Sequence, residues 1–270
     1  MNSCVSILSL LRASALVWGL AAAGAGLAAS AIPAFAAPAP EVAPEADRTL
    51  KAMSDYLGDL RSFSVKYDID VEIVSTDAQK LQFSSSGELE VRRPDRLHVV
   101  RDTGFSRGEL FADGKTVALF SPTKNGYLQV DAAGTIEKVM DQLRTAYGLD
   151  VAAADLLDAR PYASLIRGLK AGAYHGKAMV GGVECHHLAF RTDEVDWQIW
   201  IRVGEKPLPI KYVITTKWMT AAPQYAIQFR DWAENGDAPD GRFQFTPPAG
   251  AVRWKSIIVN ELGEAAAGEP

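Results

Sequence analysis

The sequence predicts a mostly β fold with helices (α+β), built on a single large curved antiparallel sheet with helices packed on it. First, many segments alternate strictly between apolar and polar side chains, which is the period of a strand buried on one side. Second, Asp113-Gly114 and Asn125-Gly126 join such segments as tight hairpin turns do. Third, one helical insert separates two runs of strands. Hairpin connections make the sheet antiparallel and argue against a parallel nucleotide-binding sheet.

The composition is that of an ordinary globular protein. Of the 270 residues, 48% are hydrophobic and 23% are charged, which excludes a disordered, collagen-like or disulfide-rich chain. The formal net charge is −5 and no basic block occurs, so we expect no nucleic-acid partner.

Residues 1–36 have the pattern of a cleavable secretory signal peptide. Arg12 is the only charged residue of this segment, an Ala/Leu/Gly-rich stretch follows it, and Ala34-Phe35-Ala36 provides the cleavage pattern. The pattern predicts export to the periplasm and a mature start at Ala37. The alternative is an uncleaved N-terminal membrane anchor, because the uncharged run is long enough to span a bilayer.

The mature chain begins with a linker and a helix. Residues 37–44 are rich in Pro and Ala and predict a flexible linker. The segment Glu45–Leu60 then repeats apolar residues at spacings of three and four, which predicts a helix with one apolar stripe. The residues of that stripe are Ala46, Leu50, Met53, Leu57 and Leu60.

Six strands follow this helix. Alternation is unbroken in the first of them, whereas Gly87 interrupts the apolar side of the second and suggests a bulge or bend there. The predicted strands are Phe63–Ile73, Leu81–Val91, Arg96–Arg101, Gly108–Ala112, Thr116–Ser121 and Tyr127–Asp131.

A central helical insert over residues 135–170 precedes the second run of strands. Thr135 is the expected cap of a helix that ends near Gly148, and two further segments, Val151–Leu157 and Tyr162–Leu169, are separated by a break at Pro161. The later strands are predicted at Tyr174–Val180, Val183–Thr192, Asp196–Val203, Ile210–Met219, Gln224–Trp232 and Arg242–Phe245. Since no repeat or linker divides the chain, we expect one domain over residues 45–260 and a frayed tail over 261–270.

One cluster, Glu184-Cys185-His186-His187, combines nucleophilic and metal-ligating residue types. On a strand Cys185 and His187 face one way and Glu184 and His186 the other, which disfavours a Cys–His catalytic pair. His175 could approach the cluster across a hairpin, which leaves a weak metal-site alternative, but ligand-pair spacing is otherwise absent. After signal cleavage Cys185 is the only cysteine, so no internal disulfide can form. We expect no catalytic residue, no metal site and no cofactor.

Several motifs resemble those of a known superfamily. They are Arg93-Pro94-Asp95-Arg96 at the start of the third strand, Asp113-Gly114-Lys115 before Val117–Pro122, Asn125-Gly126-Tyr127, and Phe243–Gly250 at the end of the fold. In order and spacing over residues 45–252 they resemble the outer-membrane lipoprotein-carrier superfamily (LolA-like, with LolB, LppX and RseB relatives). The chain most resembles the predicted periplasmic family catalogued as domain of unknown function two thousand and ninety-two.

This resemblance implies a half-open barrel whose concave apolar face is lidded by the N-terminal helix and the central helical insert. Such relatives hold acyl chains or lipid-like groups on that face. The strand pattern agrees, because large apolar side chains share one parity. The alternative is that the helices fill this face completely. The expected cavity residues are Phe63, Val65, Tyr67, Ile69, Phe83, Leu89, Ile199, Ile201, Tyr212 and Ile214.

The sequence therefore favours a non-enzymatic periplasmic binding or carrier protein for a hydrophobic group, either a lipid or a lipoprotein acyl chain. Its expected partners are a hydrophobic ligand or an acylated protein. The alternative is an envelope regulatory or protein-interaction module that transports no ligand and binds an envelope protein.

Overall fold

The structure, a computed structural model, describes residues 41–149, 151 and 153–268. Its α-helices are α1 (Pro44–Asp59), α2 (Ile136–Tyr147) and α3 (Pro161–Leu165). Its strands are β1 (Ser62–Val74), β2 (Lys80–Arg92), β3 (Arg96–Asp102), β4 (Arg107–Asp113), β5 (Thr116–Ser121), β6 (Gly126–Asp131), β7 (Ala171–Val180), β8 (Val183–Arg191), β9 (Val195–Arg202), β10 (Pro209–Thr216), β11 (Gln224–Glu234), β12 (Val252–Arg253), β13 (Ile257–Val259) and β14 (Ala265–Ala267). The predicted signal peptide and its anchor alternative lie outside the described residues. Within those residues no helix has the length and apolarity needed to cross a membrane.

One curved, unclosed sheet of 12 strands confirms the predicted fold class. Its order is β12-β6-β5-β4-β3-β2-β1-β11-β10-β9-β8-β7, and every neighbouring pair is antiparallel except β12 and β6. The two runs of strands meet where β11 returns to pair with β1. The central strand β1 is therefore bordered by both halves of the chain.

Of the bulge or bend predicted at Gly87, the bulge does not form. Register is continuous there, since Gly87 pairs with Tyr67 on β1 and with Arg101 on β3. A Cβ atom at position 87 would lie 2.5 Å from the Tyr67 ring and 2.1 Å from the carbonyl oxygen of Val100. Glycine at this position makes room for the tyrosine that covers it.

The helices pack on one face of the sheet, which we call the inner face. In α1 the predicted stripe is buried, with Leu50 and Met53 fully inaccessible and Leu57 1% exposed. In α2 the corresponding residues are Ile136, Val139 and Leu143, also at most 1% exposed. These side chains join those of the strands in one apolar core, as expected when an amphipathic helix covers a half-apolar sheet.

The helical insert is shorter than predicted in two places. Among the described residues of Val151–Leu157, Ala154–Leu157 form a 3-10 turn, and the helix predicted at Tyr162–Leu169 ends at Leu165. Pro161 begins α3 instead of interrupting a helix, because proline fits the first helical turn, where its missing N–H would be unpaired. Thr135 occupies the N-cap position of α2 without a side-chain capping bond.

After β11 the chain crosses the outer face of the sheet. The strand predicted at Arg242–Phe245 does not form, and Asp240–Arg242 is a 3-10 turn. Phe243 is completely buried, and the Phe245 ring lies 5.2 Å from that of Tyr127. Side-chain packing on the sheet, not backbone pairing, holds this segment.

The chain after Gly250 returns to the inner face, and Ala265–Ala267, within the tail predicted to fray over residues 261–270, are paired. β12 pairs with β6, and Trp254 packs against Gly126, where a Cβ atom would lie 2.3 Å from the indole ring. β13 and β14 then form a hairpin, called here the C-terminal hairpin, whose Ile257 packs with Leu128 and Trp254. Its apolar residues bury against the open end of the sheet, which offsets the entropy of ordering the tail.

The last residues of the predicted linker are also paired. Val42 forms a parallel bridge with Gly172 on β7, and the Ala43 N–H donates to the Gly172 carbonyl over 2.9 Å. Residues 41–44 therefore continue the fold, while residues 37–40 lie outside the described part of the chain.

Candidate functional site

All ten predicted cavity residues lie on the inner face. The register links them, because Ile69 pairs with Ile227, which pairs with Tyr212, which pairs with Ile199. Eight are at most 9% exposed, namely Phe63, Val65, Tyr67, Ile69, Leu89, Ile199, Ile201 and Tyr212. The other two, Phe83 and Ile214, are half-buried.

Over most of the inner face the space is filled by the protein's own side chains. The eight buried residues belong to one core with the apolar stripes of α1 and α2 and with Leu156, Leu157 and Leu165 of the insert. The helices thus occupy the concave apolar face of the sheet, which a ligand would otherwise have to fill.

The apolar inner face extends past this core at the β1–β2 hairpin. We call this partly exposed end the mouth; it comprises Val71, Ile73, Leu81, Phe83, Ile214 and Tyr225. Cross-strand pairing joins Ile73 to Leu81, Val71 to Phe83, and Tyr225 to both Val71 and Ile214. Leu81, at the outer limit, is 37% exposed. The mouth is therefore a continuous apolar surface that runs from solvent into the core.

Polar groups stand where the mouth meets the core. The Tyr67 hydroxyl donates to the carbonyl oxygen of Val100 over 2.8 Å. Arg101 points to the same face, where its Nε donates to Ser85 Oγ over 3.0 Å and its Nη1 donates to the Leu262 carbonyl beside the C-terminal hairpin. One cation and several hydroxyl groups are thus placed at the edge of an apolar surface.

Burial keeps three inner-face tyrosines in their protonated form. It raises the pKa of the Tyr67, Tyr212 and Tyr225 hydroxyls well above the ordinary value. The Arg101 charge opposes this rise at Tyr67 and Tyr225, and the Asp155 carboxylate reinforces it at Tyr212. All three hydroxyls are therefore hydrogen-bond donors at neutral pH.

The Glu184–His187 cluster divides between the faces as the strand parity predicts. His186 Nδ1 lies 3.0 Å from the Tyr174 hydroxyl, whereas His187 stacks on Trp200 with ring centroids 4.3 Å apart. Cys185 is fully buried, and burial raises its pKa to about 11. A thiol with this pKa is protonated and a poor nucleophile at neutral pH.

His175 does reach this cluster, with its ring 5.3 Å from that of His187. Even so, the described residues contain no group of three or more His, Cys, Asp or Glu side chains placed to hold a metal ion. The contacts of His187 with Trp200 and Gln198 are those of a cross-strand ladder.

The segment Gly104–Gly108 has the Gly-x-Ser-x-Gly spacing of a nucleophile elbow. Here it forms the turn between β3 and β4, with Ser106 bonded through its backbone to Thr103. A nucleophile elbow needs a strand-to-helix turn, so this hairpin does not present Ser106 in that way.

A family model matches residues 46–255, and the family is described as "Predicted periplasmic protein (DUF2092)". The chain belongs to this family. The match confirms the family suggested by the motifs and the predicted periplasmic location. No curated protein matches the DUF2092 chain significantly.

Solved structures show distant similarity to this DUF2092 protein. Lipoprotein LppX from Mycobacterium tuberculosis has 13% identity over 72% of this chain and 98% of its own, with a TM-score of 0.45. LprF from Mycobacterium bovis has 16% identity over 78% of this chain and 99% of its own, with a TM-score of 0.45. A LolA superfamily protein from Nitrosomonas europaea has 10% identity over 74% of this chain and 97% of its own, with a TM-score of 0.34.

Sequence reasoning missed Arg101 and the C-terminal hairpin of the DUF2092 protein. Arg101 follows Leu97 and Val99 at every second position, so strand parity alone could have placed its guanidinium on the apolar face. The hairpin has no such signal, because Glu261–Pro270 is short, polar and alanine-rich.

Proposed function

We propose that this DUF2092 protein is a periplasmic binding or carrier protein for a hydrophobic group, a lipid or a lipoprotein acyl chain, that enters at the mouth. The observation that carries the proposal is the continuous apolar surface from Leu81 through Val71 and Phe83 to the buried core. Burial of apolar surface by a ligand stabilises the complex by roughly 25 cal/mol for each Å² removed from water. An acyl chain bound along the mouth would be stabilised in this way.

The second candidate is an envelope regulatory or protein-interaction module. The packing of α1 and α2 onto the inner face favours it, because a filled core needs no ligand to complete the fold. In that case the mouth would contact a protein side chain or segment from an envelope partner.

Two measurements test the first candidate. Protein purified from its native envelope is extracted with organic solvent, and the extract is analysed by mass spectrometry for bound lipid. The same protein, delipidated, is titrated with the apolar fluorophore N-phenylnaphthylamine. Recovered lipid and saturable fluorophore binding support a carrier, whereas an empty protein that binds no fluorophore and co-purifies with an envelope protein supports the module.

A pair of variants localises the binding. Phe83→Asp places a carboxylate on the inner side of the mouth, and Gln82→Asp places the same charge on the neighbouring outward position of β2. We expect Phe83→Asp to weaken fluorophore binding at least about tenfold and Gln82→Asp to leave it unchanged, since a charge is strongly disfavoured against an apolar ligand. Equal effects of the two variants would place binding away from the mouth.

A further inference from the structure

Two tyrosine hydroxyls on the inner face have no hydrogen-bond partner among the described residues. Among the hydrogen bonds of the described residues, the Tyr67 hydroxyl uses Val100, but neither Tyr212 nor Tyr225 has a side-chain bond. A buried phenol usually satisfies its O–H, because leaving a buried donor unpaired is destabilising. Neither group makes a hydrogen bond with the described residues, although the Asp155 carboxylate lies near enough to Tyr212 to raise its pKa further.

Neither hydroxyl is among the unpartnered atoms that are completely sealed from solvent. In the described residues, the side-chain atoms that are both sealed from solvent and without a partner belong to Ser54, Arg93 and His98. The hydroxyls of Tyr212 and Tyr225 are not among them, although Tyr212 as a residue is only 4% exposed. Tyr225 belongs to the partly exposed mouth, and Tyr212 lies next to it at the edge of the core.

The two tyrosines are placed to act on the same atom or group. Tyr225 on β11 pairs with Ile214, which is two residues from Tyr212 on the same face of β10. Such diagonal neighbours have backbones about 7–8 Å apart, within reach of aromatic side chains. Each tyrosine borders apolar surface on its mouth side, where Val71 pairs with Tyr225.

We propose that Tyr212 and Tyr225 form a polar subsite that binds the carbonyl or carboxylate oxygen of an acyl ligand whose hydrocarbon chain lies along the mouth. This inference rests on the proposed carrier function and names its ligand class: an acyl group carrying an oxygen acceptor, not a plain hydrocarbon. A carbonyl oxygen has two lone pairs and can accept from both hydroxyls at once. The Arg101 charge acts on Tyr225 and would favour a carboxylate ligand, whereas the Asp155 carboxylate acts on Tyr212 and would disfavour one. A direct comparison of acid and ester therefore decides between a charged and a neutral acceptor.

Competition between ligands for binding to the full exported chain tests the subsite. N-phenylnaphthylamine is displaced by dodecane, by methyl dodecanoate and by dodecanoic acid, which share a chain and differ in the acceptor. We expect the parent protein to prefer the ester over the alkane by about tenfold, and Tyr212→Phe or Tyr225→Phe to reduce that preference about threefold each, as for loss of one neutral hydrogen bond. Affinity for dodecane stays unchanged, because phenylalanine keeps the ring.

Tyr174→Phe is the matched control, since the Tyr174 hydroxyl already lies 3.0 Å from His186 Nδ1 and Tyr174 is not one of the expected cavity residues. We expect it to lower the unfolding midpoint and to leave the ester preference intact. If dodecanoic acid binds more tightly than methyl dodecanoate, and Arg101→Gln abolishes this difference, a free fatty acid is the better ligand. If the acid and the ester bind equally, the ligand is an esterified acyl chain.

The outcomes separate the two proposals. If the alkane, ester and acid compete equally in the parent, or if Tyr174→Phe reduces the preference as much as Tyr212→Phe does, the subsite is wrong and the carrier function stands. If the parent binds neither the fluorophore nor any competitor, the carrier function fails and the subsite fails with it.

Discussion

Ile69 and Val71 occupy consecutive inward positions of β1, yet they lie on opposite sides of the boundary between core and mouth. Ile69 is 8% exposed within the core, whereas Val71 is half-buried at the mouth. Replacing each with aspartate therefore introduces the same carboxylate into two different environments on one strand.

The expected costs differ because water reaches only one of the two sites. At position 69 the change forfeits about 2–3 kcal/mol of apolar burial. It also leaves an unpaired buried carboxylate, which costs on the order of 3–5 kcal/mol. The total is comparable to the whole stability of a typical domain, roughly 5–15 kcal/mol. At position 71 the carboxylate stays hydrated, so the loss is about 1 kcal/mol of partial burial.

Thermal unfolding and fluorophore binding, measured together, check this expectation. Val71→Asp should lower Tm by about 2–4 °C and strongly weaken N-phenylnaphthylamine binding. Ile69→Asp should lower Tm by more than about 10 °C or prevent folding. If it does not fold, Ile69→Ala replaces it, with an expected loss of about 2–5 kcal/mol. Similar Tm losses for the two aspartate variants would refute the boundary, and a parent that binds no fluorophore would refute the mouth as a binding surface.

Three further predictions concern the rest of the chain. Cys185→Ser should leave folding and ligand retention nearly intact, and the Cys185 thiol, with its pKa raised to about 11, should resist alkylation at neutral pH until the protein is unfolded. Trp254→Ala should lower the free energy of unfolding by about 3 kcal/mol or more, measured by urea denaturation, because the ring packs against Gly126 and holds the C-terminal hairpin. Burial raises the pKa of Asp158 in the folded state, so its contribution to stability is most favourable below the ordinary carboxyl pKa and is lost as the pH rises through the raised value. Asp158→Asn should therefore stabilise the protein at neutral pH, by less than about 1 kcal/mol for this partly exposed group, and flatten the pH profile of Tm; a lower Tm at pH 7 would contradict this.

Local periodicity determined the elements and the faces of this fold. Phe63 to Ile73 alternates over a full strand, so the direction of each side chain follows from the backbone geometry of that strand alone. The same parity placed all ten predicted residues on one face and separated His186 from His187. The buried apolar stripe of α1 could likewise be predicted from the sequence, since spacings of three and four define one side of a helix.

Only the tertiary structure decided what covers each part of that face. Ile69 and Val71 have the same parity and similar apolar side chains, and they differ because the core ends between them. The return of the C-terminal hairpin depends on contacts of Ile257 with Leu128, more than one hundred residues away, which no local pattern encodes. Likewise, the Tyr67 hydroxyl has an acceptor and the Tyr212 hydroxyl makes no hydrogen bond within the described residues, because a hydroxyl's partner is set by the neighbouring strand and the chain packed above it. Periodicity reports the direction in which a side chain points, whereas its burial and its hydrogen-bond partner depend on segments distant in sequence.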